Sequence, residues 1–166
     1  AAGTGLSSHE LNQPGCYKVV KDLSVVALFR LIDPHRIIET SKDVLFMAWT
    51  TTPWTLFANT GLAVGKKISY VLVETINPYT KRECVVICAK DRLLSVFDEK
   101  TIKNIRRSDL GGGVPYRVLR ECLGSDLIGF KYEQIFDYIQ PKKTHGDPFR
   151  VVGADFVSTN DGTGIV

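Results

Sequence analysis

The sequence predicts an α+β chain, mainly β, with a β-barrel-like core and short helical excursions. Three observations lead there. Apolar runs of strand length recur at 25–31, 44–48, 62–64, 70–74, 83–89 and 149–153. Between them lie turn formers such as Asp33-Pro34, Asn77-Pro78 and Asn160-Asp161-Gly162. Only residues 90–97 carry a clear helical spacing, with Leu93, Leu94 and Phe97 three and four apart. Many short strands with few helices favour a layered or barrel-like sheet.

The elements follow in order. Residues 1–22 read as a connector, with Gly3, Gly5, Ser7-Ser8 and Asn12-Gln13-Pro14-Gly15, and residues 23–166 as one domain. At 166 residues the chain is long enough to bury roughly 70% of its unfolded surface. Residues 25–31 form a strand, and Lys42-Asp43 lead into the next. The runs 70–74 and 83–89, separated by Asn77-Pro78 and Lys81-Arg82, read as an antiparallel hairpin. Residues 102–107 read as a further strand, and 118–123 fit either a helical turn or a strand. Gly111-Gly112-Gly113 lacks a following Lys-Ser/Thr, so it is a loop and not a phosphate cradle.

Composition excludes several function classes. The net charge is only +3, and pairs such as Lys66-Lys67, Arg106-Arg107 and Lys142-Lys143 read as solvated surface. No stretch approaches the roughly 18 apolar residues of a membrane helix, and the first residues show no secretory pattern. Cys84 and Cys88 lie within a strand-like run with no histidine nearby, which is not zinc spacing. Together with Cys16 and Cys122 they read as free thiols. His9, His35 and His145 are scattered and pair with no nucleophile motif.

One stretch stands apart: Trp49-Thr50-Thr51-Thr52-Pro53-Trp54-Thr55-Leu56-Phe57-Ala58-Asn59. The unbroken Val44-Leu45-Phe46-Met47-Ala48 delivers it, so the threonines emerge where a buried strand ends. Pro53 removes a backbone donor and turns the chain. Alternation sends Thr50 and Thr52 to one face and Thr51 to the other, with Thr55 returning after the turn. The product is a cluster of hydroxyls beside two indoles.

This string resembles the threonine-rich peptide of the isoleucyl-tRNA synthetase editing domain, in which Trp-Thr-Thr-Thr-Pro-Trp-Thr-Leu-Pro-x-Asn lines a hydrolytic pocket. The chain departs at Phe57, where the family has proline. Weaker matches accompany it. Leu6-Ser7-Ser8-His9-Glu10-Leu11 is similar to the family's entry into its inserted domain. Gly129-Phe130-Lys131-Tyr132-Glu133 is similar to the Leu-x-Gly-x-x-Tyr-x-Pro-Leu region, with Gln134-Ile135 replacing Pro-Leu. Asp155, Val157 and Gly162-Thr163-Gly164-Ile165-Val166 resemble the stretch that faces the threonine peptide. The family pattern continues beyond Val166 with a His and an Asp, the latter expected to hold the substrate's α-amino group.

The resemblance implies hydrolysis of valyl-tRNA(Ile) in a pocket too small for isoleucine. It assigns catalytic work to Thr50, Thr51, Thr52, Thr55 and Asn59, and substrate binding to Trp49, Trp54, Gly162, Thr163 and Gly164. No metal ligands and no cofactor are expected, ATP and Mg belonging to the catalytic domain of the parent synthetase. The implied partners are the aminoacylated 3′ end of tRNA(Ile), its valine moiety and the rest of the synthetase in cis, in the cytoplasm and without a membrane. Two other readings stay open: a non-catalytic fragment that binds the acceptor end, and the editing domain of a valyl or leucyl relative.

Overall fold

The computed structural model describes residues 3, 5–19, 21, 23–97, 116–138, 140–141 and 146–166. The strand expected at 102–107, the triple glycine, Lys142-Lys143 and His145 lie outside the described residues. The residues from 5 to 19 are all exposed and hold one helical turn, α1 (Ser8–Leu11). Ser7 and Glu10 close that turn reciprocally: the Ser7 hydroxyl accepts from the Glu10 amide and the Glu10 carboxylate accepts from the Ser7 amide.

Five strands form the main sheet: β1 (Val25–Arg30), β2 (Asp43–Thr50), β4 (Ser69–Ile76), β5 (Glu83–Ala89) and β6 (Arg117–Leu123), in the spatial order β1-β2-β5-β4-β6. β1 runs antiparallel to β2, with Val25 opposite Thr50. The expected hairpin forms between β4 and β5, and the Asn77 carboxamide caps its loop by accepting from the amides of Tyr79 and Thr80. β2 and β5 pair in parallel, Asp43 opposite Cys84. The ambiguous 118–123 run is a strand, paired to β4 through a bulge at Leu72/Val73. A separate parallel ribbon joins β3 (Gly61–Val64) to β7 (Arg150–Gly153).

The mainly β expectation matches this mixed sheet. The barrel-like core does not appear: among the described residues the sheet is open, with β1 and β6 at opposite ends. The ribbon covers one face of this sheet. Leu62, Val64 and Val151 of the ribbon pack with Phe29, Val44, Phe46, Leu72 and Ile87 of the sheet. A second cluster, Val71, Val73, Cys84, Val86 and Cys88, occupies the other face under Leu93 and Phe97. β4 and β5 are thus covered on both sides, which is why they read as continuous apolar runs and not as alternation.

The helical expectation at 90–97 is met by a 3₁₀ turn (Lys90–Arg92) followed by α2 (Leu93–Val96); α3 (Gly124–Leu127) follows β6. Among the described residues no helix is long and apolar enough to cross a membrane.

Three of the four cysteines are buried and unpaired, as expected; Cys16 is exposed. Burial pushes the Cys88 thiol from 9 up to about 12 and the Cys122 thiol up to about 11. It also raises the Tyr70 phenol from 10 to about 12. These groups ionise more readily in the unfolded chain. Their contribution to stability is therefore complete below pH 9 and is lost as pH rises through about 12. Thermal melts at pH 8 and pH 11 are expected to differ by several degrees, and Tyr70→Phe should flatten part of that fall.

Candidate functional site

The end of β2 sets the site. Val44, Phe46 and Ala48 point into the main core, while Leu45 and Met47 pack against the second cluster. Thr50 continues the Ala48 side. After Thr50 the chain bends, and Pro53 opens a 3₁₀ helix, Pro53–Ala58. With three residues per turn, such a helix stacks side chains in three columns. Pro53, Leu56 and Asn59 form the partly buried one, and Thr52, Thr55 and Ala58 form an exposed one. Trp54 and Phe57 form the third, in which Trp54 is 67% exposed. The Phe57 ring stacks on Phe136 at 4.8 Å and approaches Tyr138 at 5.8 Å.

The hydroxyls converge. Thr52 Oγ1 lies 3.3 Å from both Thr50 Oγ1 and Thr55 Oγ1. The Thr52 amide donates to Thr50 Oγ1 at 3.0 Å, and Thr55 Oγ1 donates to the Thr52 carbonyl at 2.7 Å. Backbone bonds therefore hold the outer two hydroxyls of a three-membered chain. A cavity of about 310 Å³ opens beside them, lined by Thr50, Thr55, Asn59, Trp49, Phe29 and Leu62, among others. None of its lining residues is an acid or a base. It offers hydroxyls, one carboxamide, one indole and an apolar floor, which can place a small aliphatic group and hydrogen-bond a polar one.

Thr51 and Trp54 are exposed and do not line this cavity. Gly162, Thr163 and Gly164 stand behind it. The Thr163 hydroxyl donates to the Met47 carbonyl, its carbonyl accepts from the Ala89 amide, and the Trp49 amide donates to the Ile165 carbonyl. A Cβ on Gly162 would come within 2.6–2.8 Å of the Trp49 ring, so glycine lets the indole lie against this turn. The Arg92 guanidinium donates to the carbonyls of Gly162 and Asn160, and the Tyr70 phenol donates to that of Gly164. The turn thus fixes Trp49, and Val166 reaches the cavity itself.

A larger cavity, about 570 Å³, lies on the other face of the sheet among Leu28, Met47, Val86 and Phe97. Trp49, Gly162 and Thr163 border it, but Thr50, Thr55 and Asn59 do not. The threonine and asparagine side chains singled out in the sequence thus line the smaller space and not the larger one.

Residue-by-residue reading missed Tyr132 as part of the site. It is 1% exposed and donates its hydroxyl to Asn59 Oδ1 at 2.6 Å. The available signal was the tyrosine of the Gly129-x-x-Tyr132 match, which reads as core until its partner 73 positions away is known. Burial holds its phenol well above the usual range. Among the described residues no group of three or more His, Cys, Asp or Glu side chains is arranged to hold a metal ion.

No family model matches the chain. Over its whole length it is 50% identical to an isoleucine–tRNA ligase of Cytophaga hutchinsonii and 47% identical to that of Bacteroides thetaiotaomicron. It spans 15% of the length of each. In structure it is similar to the P. knowlesi cytosolic leucyl-tRNA synthetase editing domain, with TM-score 0.62 and 12% identity over 86% of this chain and 57% of that one. The P. falciparum counterpart gives TM-score 0.55 and 14% identity over 76% of this chain and 41% of that one. The fold is thus similar to that of leucyl-tRNA synthetase editing domains. Identity over the full chain is more particular: it belongs to the isoleucyl-tRNA synthetase family.

Proposed function

We propose that this chain is the post-transfer editing domain of an isoleucyl-tRNA synthetase and hydrolyses the ester of valyl-tRNA(Ile) while sparing isoleucyl-tRNA(Ile). The observation that carries the reading is a chain of three hydroxyls in which Thr50 and Thr55 line a roughly 310 Å³ cavity and Thr52, outside the lining, bridges them. The threonine methyls narrow an apolar slot, and their hydroxyls both donate and accept. Valine lacks one methylene of isoleucine, and a binding site rejects the smaller side chain only weakly. Isoleucyl-tRNA synthetase is itself the standard worked example of that limit and of the second, smaller sieve that answers it.

With no acid or base lining the cavity, the reaction depends on placing a water against the ester carbonyl by hydrogen bonds, with a ribose hydroxyl of the substrate as an additional group within reach. A threonine as covalent nucleophile would need an adjacent base, which the lining does not provide. The 3′ end of tRNA(Ile) would enter from the exposed hydroxyl column, and the rest of the synthetase would supply most of the tRNA contacts in cis.

The test is deacylation of valyl- and isoleucyl-tRNA(Ile) by a full-length isoleucine–tRNA ligase carrying this chain as its editing segment, compared with a version lacking it. Valyl-tRNA should be hydrolysed at least about tenfold faster than isoleucyl-tRNA, the least that one methylene contributes in a fitted pocket. Equal rates on both substrates, or no loss on removing the segment, would refute the proposal.

A further inference from the structure

We infer that Tyr132 is a positioning residue that presents Asn59 to the substrate as a hydrogen-bond donor. This rests on the editing reading above and deepens it. Asn59 is held at both ends: Nδ2 donates to the Gly61 carbonyl at 3.1 Å, and Oδ1 accepts from the Tyr132 hydroxyl at 2.6 Å. A carbonyl only accepts, so the amide end that faces Gly61 is the nitrogen. The end that faces Tyr132 is then the oxygen, and the phenol donates. Reversing the amide would set two oxygens against each other at Gly61.

The tyrosine is well fixed for this task. Its ring stands edge-on to Phe29 at 5.1 Å and to Phe149 at 6.1 Å. Burial keeps the phenol protonated, so it stays a donor across the working pH range. Tyr132 is buried and does not line the cavity, so Asn59 turns its oxygen toward the core. Among the described residues one N–H of Nδ2 is left unspent, on a side chain that lines the cavity.

A donor there suits an atom that gains negative charge. When water adds to the ester carbonyl carbon, the C=O π pair moves onto the carbonyl oxygen, which the Asn59 N–H stabilises. Collapse of the tetrahedral intermediate expels the ribose oxygen. The water's proton ends on that oxygen, leaving free valine and a terminal ribose hydroxyl. No other reactant is required.

The experiment compares Tyr132→Phe, Asn59→Ala, the double variant and Asn59→Asp in the full-length ligase carrying this chain, on valyl-tRNA(Ile). Removing a direct donor should lower kcat about 100-fold for Asn59→Ala. Tyr132→Phe keeps the ring and should lower kcat about tenfold with KM unchanged, since the amide is then free to turn. In the Asn59→Ala background the same tyrosine change should have no further effect. A packing role alone would persist there, and that result would overturn the inference, as would a silent Tyr132→Phe. Asn59→Asp replaces the donor with an acceptor of equal size and should fall below Asn59→Ala. If it exceeds Asn59→Ala, Asn59 is not a donor, whatever Tyr132→Phe does to folding. A wild-type ligase inert on valyl-tRNA refutes the editing reading and this inference together, whereas an active wild type with a silent Tyr132→Phe refutes the inference alone.

Discussion

Thr55→Phe is expected to abolish hydrolysis of valyl-tRNA(Ile) while leaving the fold intact. Thr55 lines the cavity, and its column on the 3₁₀ helix is exposed. The larger ring therefore projects into space and not into packed core. It would occupy much of a cavity of about 310 Å³ and remove a hydroxyl that lies 3.3 Å from Thr52 Oγ1. A loss of at least about 100-fold is expected, equivalent to roughly 2.7 kcal/mol of transition-state stabilisation. Thr55→Ser, which keeps the hydroxyl and widens the slot by one methyl, should retain valyl-tRNA hydrolysis and begin to attack isoleucyl-tRNA. Deacylation rates with thermal melts decide the matter. A Thr55→Phe enzyme that still hydrolyses valyl-tRNA at the original rate would mean that the reaction takes place elsewhere.

Gly162→Val should have the largest effect on stability. Gly162 sits at φ +67°, where a β-branched residue is strained by roughly 1–2 kcal/mol. Its first side-chain carbon would also meet the Trp49 ring at 2.6–2.8 Å, adding roughly 1–3 kcal/mol of overpacking. A destabilisation of about 2–5 kcal/mol should appear in a denaturant titration, with Gly162→Ala less severe. Because Trp49 borders the cavity, its displacement should impair hydrolysis beyond what the loss of folded protein explains. In a Trp54→Phe background, Trp49 fluorescence reports that movement directly. An unchanged emission spectrum with unchanged stability would show that the turn does not hold the indole.

Much of the architecture was readable in advance because it follows from short-range rules. The apolar run of β2, the stop at Pro53 and the Asn77 loop depend on residues within a few positions of one another. The placement of Thr50 with Thr52 followed in the same way, from a period of two. The run at 118–123 was undecided because its apolar residues fit either period, and only pairing with β4 makes it a strand. The sequence is equally silent on whether such strands close into a barrel, and no closed barrel is seen among the described residues. Short strands separated by turns are common to barrels and open sheets, and their pattern carries no information on which edges meet.

The residue order of this chain is sufficient to assign strands, turns and a hydroxyl-bearing peptide at a strand end, because φ/ψ preference and side-chain period act locally. Partner choice across long separations belongs to the folded molecule. The parallel match of β2 with β5, the ribbon of β3 and β7 over the core, and Trp49 resting on Gly162 all join distant segments. So does the bond from Tyr132 to Asn59. Such contacts form only where the apolar area they bury outweighs the entropy of closing the chain between them. That balance is set by every packed neighbour at once, and no single window of sequence contains it.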